Sequence, residues 1–308
     1  MRRILISLVL ALGATPAGAQ TQQGCDWRDS PESSVTQIVA NCSERIESGH
    51  ESNEALAADF DTRGTLYFRQ RLYDQALADF TRAIALSPNL AHAFYGRGLV
   101  HESTGLADQA IADYTQAIAV RPGYAGALLN RGVMRERMGD RDQAITDYSQ
   151  AITSDPHLML AYLDRGNVYD AKGLLDQAIA DYNVAIAGDA YNPRAYLYRG
   201  NTYYRKGLWD RAIADYSQAL ALRGDLADAY GGRAWALHKK GDDTHALADA
   251  QRDVALAPQD GNAFETLAEI LERLGRPDEA AAAYRTSLAL NPSYPAAKDA
   301  LTRLGAKP

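Results

Sequence analysis

Six histidines, His50, His92, His101, His157, His238 and His245, are the side chains best suited to metal ligation or proton transfer, and their spacing suits neither. There is no His-Glu-x-x-His pair, and no histidine lies with carboxylates at intervals that would gather three ligands on one helix. His238 and His245 are seven residues apart but fall on either side of Gly241, hence in different helices. Each is left as a solvent-exposed or groove-lining side chain. Serine and cysteine nucleophiles lack an evident base partner, and no Gly-x-Ser-x-Gly elbow or phosphate-binding glycine loop occurs. The chain is therefore read as non-enzymatic, with no catalytic residue, metal or cofactor.

What does recur is a pair of opposite charges. Arg63, Arg97, Arg131, Arg165, Arg199 and Arg233 are each followed sixteen residues later by Asp79, Asp113, Asp147, Asp181, Asp215 and Asp249. One period further on, both members vanish together, as Leu267 and Ala283. Joint loss predicts that each arginine pairs with the aspartate of its own repeat, because burying either charge alone is costly.

The elements that position these pairs are written with a period of 34 residues. Gly64, Gly98, Gly132, Gly166 and Gly200 hold it, followed by Ala234 and Ala268. So do Ala76, Ala110, Ala144, Ala178, Ala212, Ala246 and Ala280, and the aromatics Phe80, Tyr114, Tyr148, Tyr182 and Tyr216. Each period contains two stretches with helical apolar spacing, separated by a turn that usually bears glycine, as at Gly105, Gly139, Gly173, Gly207 and Gly241. A large residue four positions into each period (Phe60, Phe94, Leu128, Tyr162, Tyr196, Tyr230, Phe264) is expected to fill space beside the small one, where the second helix approaches closely. Proline closes most periods, at Pro88, Pro122, Pro156, Pro258 and Pro292, but Ala190 and Gly224 replace it in the fourth and fifth.

This succession of aromatic, Gly or Ala, Ala, aromatic and Pro resembles the tetratricopeptide repeat family over about three quarters of the chain. The resemblance implies an all-α fold, a right-handed α-α superhelix (solenoid) of seven helical hairpins flanked by an N-terminal helix and a C-terminal capping helix. The repeats would occupy 57–90, 91–124, 125–158, 159–192, 193–226, 227–260 and 261–294, with the cap and tail at 295–308.

In this family the first helices line a concave groove. Projected onto this sequence, that geometry makes Arg137, Asn167, Asp170, Arg194, Asn201, Tyr204, Arg205, Trp235, His238 and Lys239 the candidate partner-binding residues. Asparagines would fix a ligand backbone, Arg205 and Lys239 would meet carboxylates, and the two aromatics would take an apolar side chain. Tyr198 stands where a terminal-carboxylate clamp would place its second asparagine, so that clamp is not reproduced. Toward Glu265, Glu269 and Glu272 the groove turns acidic. Trp209, in a hairpin turn, is read as packing between neighbouring hairpins.

Residues 1–19 combine Arg2 and Arg3, an apolar run from Ile4 to Leu12 and an Ala17-Gly18-Ala19 cleavage signal, the pattern of a secretory signal peptide. Its apolar run is far shorter than the roughly 20 residues of a membrane span, and stable membrane insertion is not expected. An N-terminal helical cap at 20–56 follows. If Ser30 caps a helix starting at Pro31, the linker from Cys25 extends to roughly 20 Å and Cys42 lies about 16 Å along the axis, so a Cys25–Cys42 disulfide is within reach. A reactive or metal-binding pair is the weaker alternative.

Net charge is −7, and −9 once Arg2 and Arg3 leave with the signal, which disfavours nucleic acid as a partner. The expectation is a periplasmic or secreted bacterial scaffold that binds another protein or peptide. Self-association into an envelope assembly, and recognition of a cell-wall glycan by Trp235 and Tyr204, are the rival classes.

Overall fold

The computed structural model describes Cys25 and residues 35–49, 51–293 and 295–307. The signal peptide expected at 1–19 and the Ser30 cap with its Pro31 start lie outside the described residues. Sixteen helices and no strand occur among the described residues. They group into two compact units, the first ending at Ala161 and the second beginning at Tyr162.

In the first unit, α1 (Val35–Ser48) precedes three hairpins: α2 (Asn53–Arg69) with α3 (Tyr73–Leu86), α4 (Ala91–Ser103) with α5 (Ala107–Val120), and α6 (Ala125–Arg137) with α7 (Arg141–Ser154). Helix α8 (Met159–Ala171) spans the boundary. The second unit continues with α9 (Leu175–Gly188), then α10 (Pro193–Arg205) with α11 (Trp209–Leu222), α12 (Ala227–Lys240) with α13 (Asp243–Leu256), α14 (Gly261–Arg273) with α15 (Pro277–Leu290), and α16 (Pro295–Arg303). The hairpin turns reverse through a left-handed residue, φ 81° at Gly105 and 87° at Gly241, which glycine adopts without a Cβ clash. Arg71 takes the same place in the first hairpin at φ 62°.

Close approach within each hairpin has one cause. An ideal Cβ on Gly98 would lie 2.6 Å from the ring of Tyr114, and one on Gly132 would lie 2.7 Å from that of Tyr148. The notch is thus filled by the aromatic of the second helix, itself fully buried. The large residue of the first helix has another job. Phe60 and Tyr67 flank the Arg63 guanidinium at 5.4 and 5.8 Å, and Tyr196 and Tyr203 flank that of Arg199, both at 5.7 Å. The ring inside the notch is thus that of the second helix, while the first-helix rings pack against the same apolar cluster and also offer a face to the arginine.

The arginines pair within their own hairpins, as the joint loss predicts. Arg131 donates to both oxygens of Asp147 at 3.0 and 2.7 Å, and Arg199 to those of Asp215 at 2.8 and 2.7 Å. In several copies the remaining guanidinium nitrogen reaches back one hairpin, as from Arg131 to Thr115 Oγ1 at 3.1 Å and from Arg233 to Ser217 Oγ at 3.0 Å. The pair therefore fixes the angle inside a hairpin and the register to the one before. In the last hairpin Leu267 and Ala283 join an apolar cluster instead.

Helix α1 closes the apolar end of α2. Cys25 and Cys42 are disulfide-bonded with Cα atoms 5.3 Å apart, buried with Ile38 against Leu66. Ser43 accepts the third bond of Arg63 at 2.9 Å, and Arg45 meets the fully buried Asp59 at 3.0 Å. Reducing the disulfide should lower the stability of the first unit by about 3 kcal/mol at most, the loop-entropy limit for this spacing. Calorimetry with and without reductant checks this, and an unchanged melting temperature would contradict it.

One core position departs from the repeat. Ala83, Ala117, Ala151, Ala185 and Ala219 are succeeded by Asp253, which is 7% exposed and whose side chain makes no hydrogen bond among the described residues. It fits because the facing Gly231 has no side chain; a Cβ there would collide with the carboxylate. Burial foremost, then Asp260 and Asp228, pushes the Asp253 carboxyl up to about 7. The unfolded group titrates near ~3.9, so between these values the folded state holds the extra proton and stability falls as pH rises. Asp253→Ala should therefore stabilise the chain at pH 8 and much less at pH 4. A pH-independent difference in unfolding free energy would refute the assignment.

Candidate peptide-docking face

Within the second unit the first helices α8, α10, α12 and α14 are linked in succession, and their side chains divide into those the scaffold consumes and those it leaves. Asn167 and Asn201 belong partly to the first class. Tyr182 donates its hydroxyl to Asn167 Oδ1 and Tyr216 to Asn201 Oδ1, both at 2.8 Å. In other hairpins Glu102, Glu136 and Glu272 accept that phenol, at 2.8, 2.9 and 3.1 Å. A buried hydroxyl needs an acceptor, so the asparagine carbonyls are occupied and their amide groups are what a ligand could meet.

Arg205 is held to the preceding hairpin. Its guanidinium bonds the Asp170 carboxylate, and also the Asp170 backbone oxygen at 2.8 Å, while the same carboxylate accepts from Thr202 Oγ1 at 2.8 Å. Asp170 and Arg205 thus form an inter-hairpin clamp anchored on a fully buried threonine that the sequence did not single out. Arg194 sits in the first turn of α10, its amide capped by Asn192 Oδ1 at 3.1 Å. Arg137 belongs to the first unit, where it meets Glu102 at 3.3 Å.

Tyr204, Trp235, His238 and Lys239 occupy α10 and α12. Trp235 is half-buried, with the Lys239 ammonium 4.9 Å from its ring centroid and His238 edge-on at 5.5 Å. Lys239 itself is exposed. His238 is 7% exposed, with Nδ1 2.6 Å from Asp243 Oδ1 across the hairpin turn. The imidazole is thus buried and paired rather than solvent-exposed, and it lines a cavity with Glu265 and Glu269. Arg273 secures the same aspartate at 2.9 Å and donates to the His238 carbonyl at 3.1 Å. Asp243 and Arg273 were not singled out from the sequence, because the turn that joins them to His238 has no periodic signature. Trp209, at the start of α11, is 36% exposed and lines a cavity of about 490 Å³ together with Lys239 and Lys240 of the next hairpin.

On α14 the face becomes acidic. Glu269 is held above the usual carboxylate range by burial first and by Glu265 second, while His238 and Lys239 act in the opposite direction. Burial first, then the charge of Glu269, raises the Tyr204 phenol. The face thus presents an indole, an ammonium, two amides and carboxylates on a firm backbone. Such a set can bind a polar chain with an apolar anchor. Among the described residues no cluster of three His, Cys, Asp or Glu side chains could hold a metal ion, and no helix is long and apolar enough to cross a membrane.

Tetratricopeptide repeat patterns match residues 62–125, 126–158 and 261–294, and a TPR repeat pattern matches 166–207 and 200–241. No match is found among curated proteins. Solved structures similar to the chain include that of the APC/C hetero-tetramer Cut9–Hcn1, at 18% identity and a TM-score of 0.63, where the likeness covers 88% of this chain and 52% of that one. The chain thus corresponds to about half that structure's length. Pseudomonas aeruginosa PilF is similar at 17% identity over 69% of this chain and 97% of its own, with a TM-score of 0.62. YrrB, described as a TPR protein with an unusual peptide-binding site, is 18% identical over 61% of this chain and 97% of its own, with a TM-score of 0.53. At these identities the likeness is one of fold.

Proposed function

Because the chain belongs to the tetratricopeptide repeat family, we propose that it is a non-catalytic scaffold of the bacterial cell envelope, holding an extended peptide or a helix of a partner protein against the first helices of its hairpins. The observation behind this reading is the division of labour on that face. The periodic residues are consumed by packing and ion pairs, whereas Trp235, Lys239 and the amides of Asn167 and Asn201 remain for a ligand. A firm stack loses little entropy when a peptide docks, which favours binding through a few contacts from several hairpins. The peptide-binding site named for YrrB, a protein of this fold, supports the same reading.

Placement in the periplasm or outside the cell rests on the signal-like residues 1–19 together with the Cys25–Cys42 disulfide, a bond that persists in oxidising compartments. The test is an array of peptides tiled from exported bacterial proteins, probed with the wild-type chain and with Trp235→Ala/Lys239→Ala. Arg205 is left intact because its loss would also release Asp170. Peptides bound by the wild type and lost by the variant, at equal melting temperature, are expected. The same bound set for both would remove the face from consideration, and a particle mass that grows with concentration would assign it to self-association.

A further inference from the structure

The end of the second unit holds a cavity of about 520 Å³, lined by side chains of α12, α14, α15 and α16. Its charges do not balance. Glu272 accepts two bonds from Arg303, both at 2.9 Å, and a third from the Tyr284 hydroxyl at 3.1 Å. Arg273 is engaged by Asp243 at 2.9 Å, and His238 by the same carboxylate at 2.6 Å. The carboxylates left over are those of Glu265 and Glu269.

Glu265 is the telling one. It is 9% exposed, lines the cavity, and has no hydrogen bond or ion pair among the described residues. Its position in the other hairpins holds Asp61, Tyr95, Leu129, Leu163, Leu197 and Gly231, so packing of the repeat does not call for a carboxylate there. A buried carboxylate without a partner costs several kcal/mol in order of magnitude, and a second one beside it adds repulsion. Burial and that repulsion are what hold the Glu269 carboxyl up. A cation entering the cavity relieves both. Ala296 and Ala300 of α16 form a small-residue wall along which an alkyl stem can lie.

We propose that Glu265 and Glu269 form a subsite for one basic side chain, lysine or arginine, of a peptide docked on the adjoining face. The inference rests on the docking reading above and deepens it. Trp235 and Lys239 on α12 receive the neighbouring part of the peptide, and the paired carboxylates fix its register by charge.

The experiment uses the full chain and short peptides of randomised sequence, acetylated and amidated so that side chains supply the only charge. Wild-type protein should select peptides with lysine or arginine at one fixed position. Glu265→Gln/Glu269→Gln should weaken these by about tenfold or more, and peptides lacking the basic residue by less than about twofold. Glu269→Lys should reverse the preference toward acidic peptides. A melting temperature at or above that of the wild type shows that each variant is folded. Peptide binding without basic selection, or with selection unchanged in the double variant, overturns the subsite and leaves the docking face standing. A parallel set with free N-termini is measured beside them, and binding confined to that set overturns the side-chain assignment. Concentration-dependent association that Glu265→Gln abolishes gives the cavity to a second copy of the chain and overturns it too. Binding of no peptide at all overturns both readings.

Discussion

Asp147→Ala is expected to destabilise the first unit by about 3–5 kcal/mol, the usual consequence of leaving a buried charge uncompensated. Asp147 is 1% exposed and accepts from two arginines, Arg131 at 2.7 Å and Arg135 at 2.7 Å, so its loss strands both. Asp215→Ala in the second unit should cost less, since among the side-chain donors only Arg199 is released. The protein contains its own compensated version in Leu267 with Ala283. Arg199→Leu/Asp215→Ala should therefore recover most of what Asp215→Ala loses. Denaturant midpoints, with hydrogen exchange of α10 and α11, decide it. Equal losses in the single and double variants would mean that the pair is not what holds the hairpin.

A comparable effect is expected where glycine meets tyrosine. Tyr148 is fully buried beside Gly132, and its hydroxyl bonds Glu136 at 2.9 Å. Tyr148→Ala should cost about 3–5 kcal/mol for the cavity it leaves. Gly132→Ala alone should cost about 1–3 kcal/mol from overpacking, even though alanine is the better helix former by about 1 kcal/mol. Once Tyr148 is alanine the clash is gone, and Gly132→Ala should become stabilising. The sixth hairpin has this arrangement, with Ala234 and Ala250 both fully buried. A double-mutant cycle reads the change of sign, and additive effects would exclude steric coupling.

The two sets of residues were not equally legible beforehand. Arg131 and Asp147 could be paired from the sequence because seven copies vary together, and the loss of both in one copy removed the rival scheme. The glycine notch could be read for the same reason, although the ring that enters it comes from the second helix and not the first. The docking face offered no such repetition. Asn167 and Asn201 were expected to face a ligand freely, yet their carbonyls satisfy buried tyrosines fifteen residues away. Arg205 was expected to meet a carboxylate of the partner and already holds Asp170, thirty-five residues before it. His238 is buried by a contact with Asp243 across a turn.

What the sequence determined by itself is everything that the period enforces: helical hairpins, small residues at their closest approach, and an arginine tied to its own aspartate. Packing acts on every copy alike, so it leaves a repeated mark that can be read without coordinates. Only the tertiary structure decided which polar groups of the first helices remain for a partner. Whether a side chain is spent or free depends on neighbours one hairpin away, and burial of Tyr182, Tyr216 and Thr202 settles that locally, without periodicity. The unpaired charge of Glu265 and Glu269 emerged the same way, by finding that Arg273 and Arg303 are committed elsewhere.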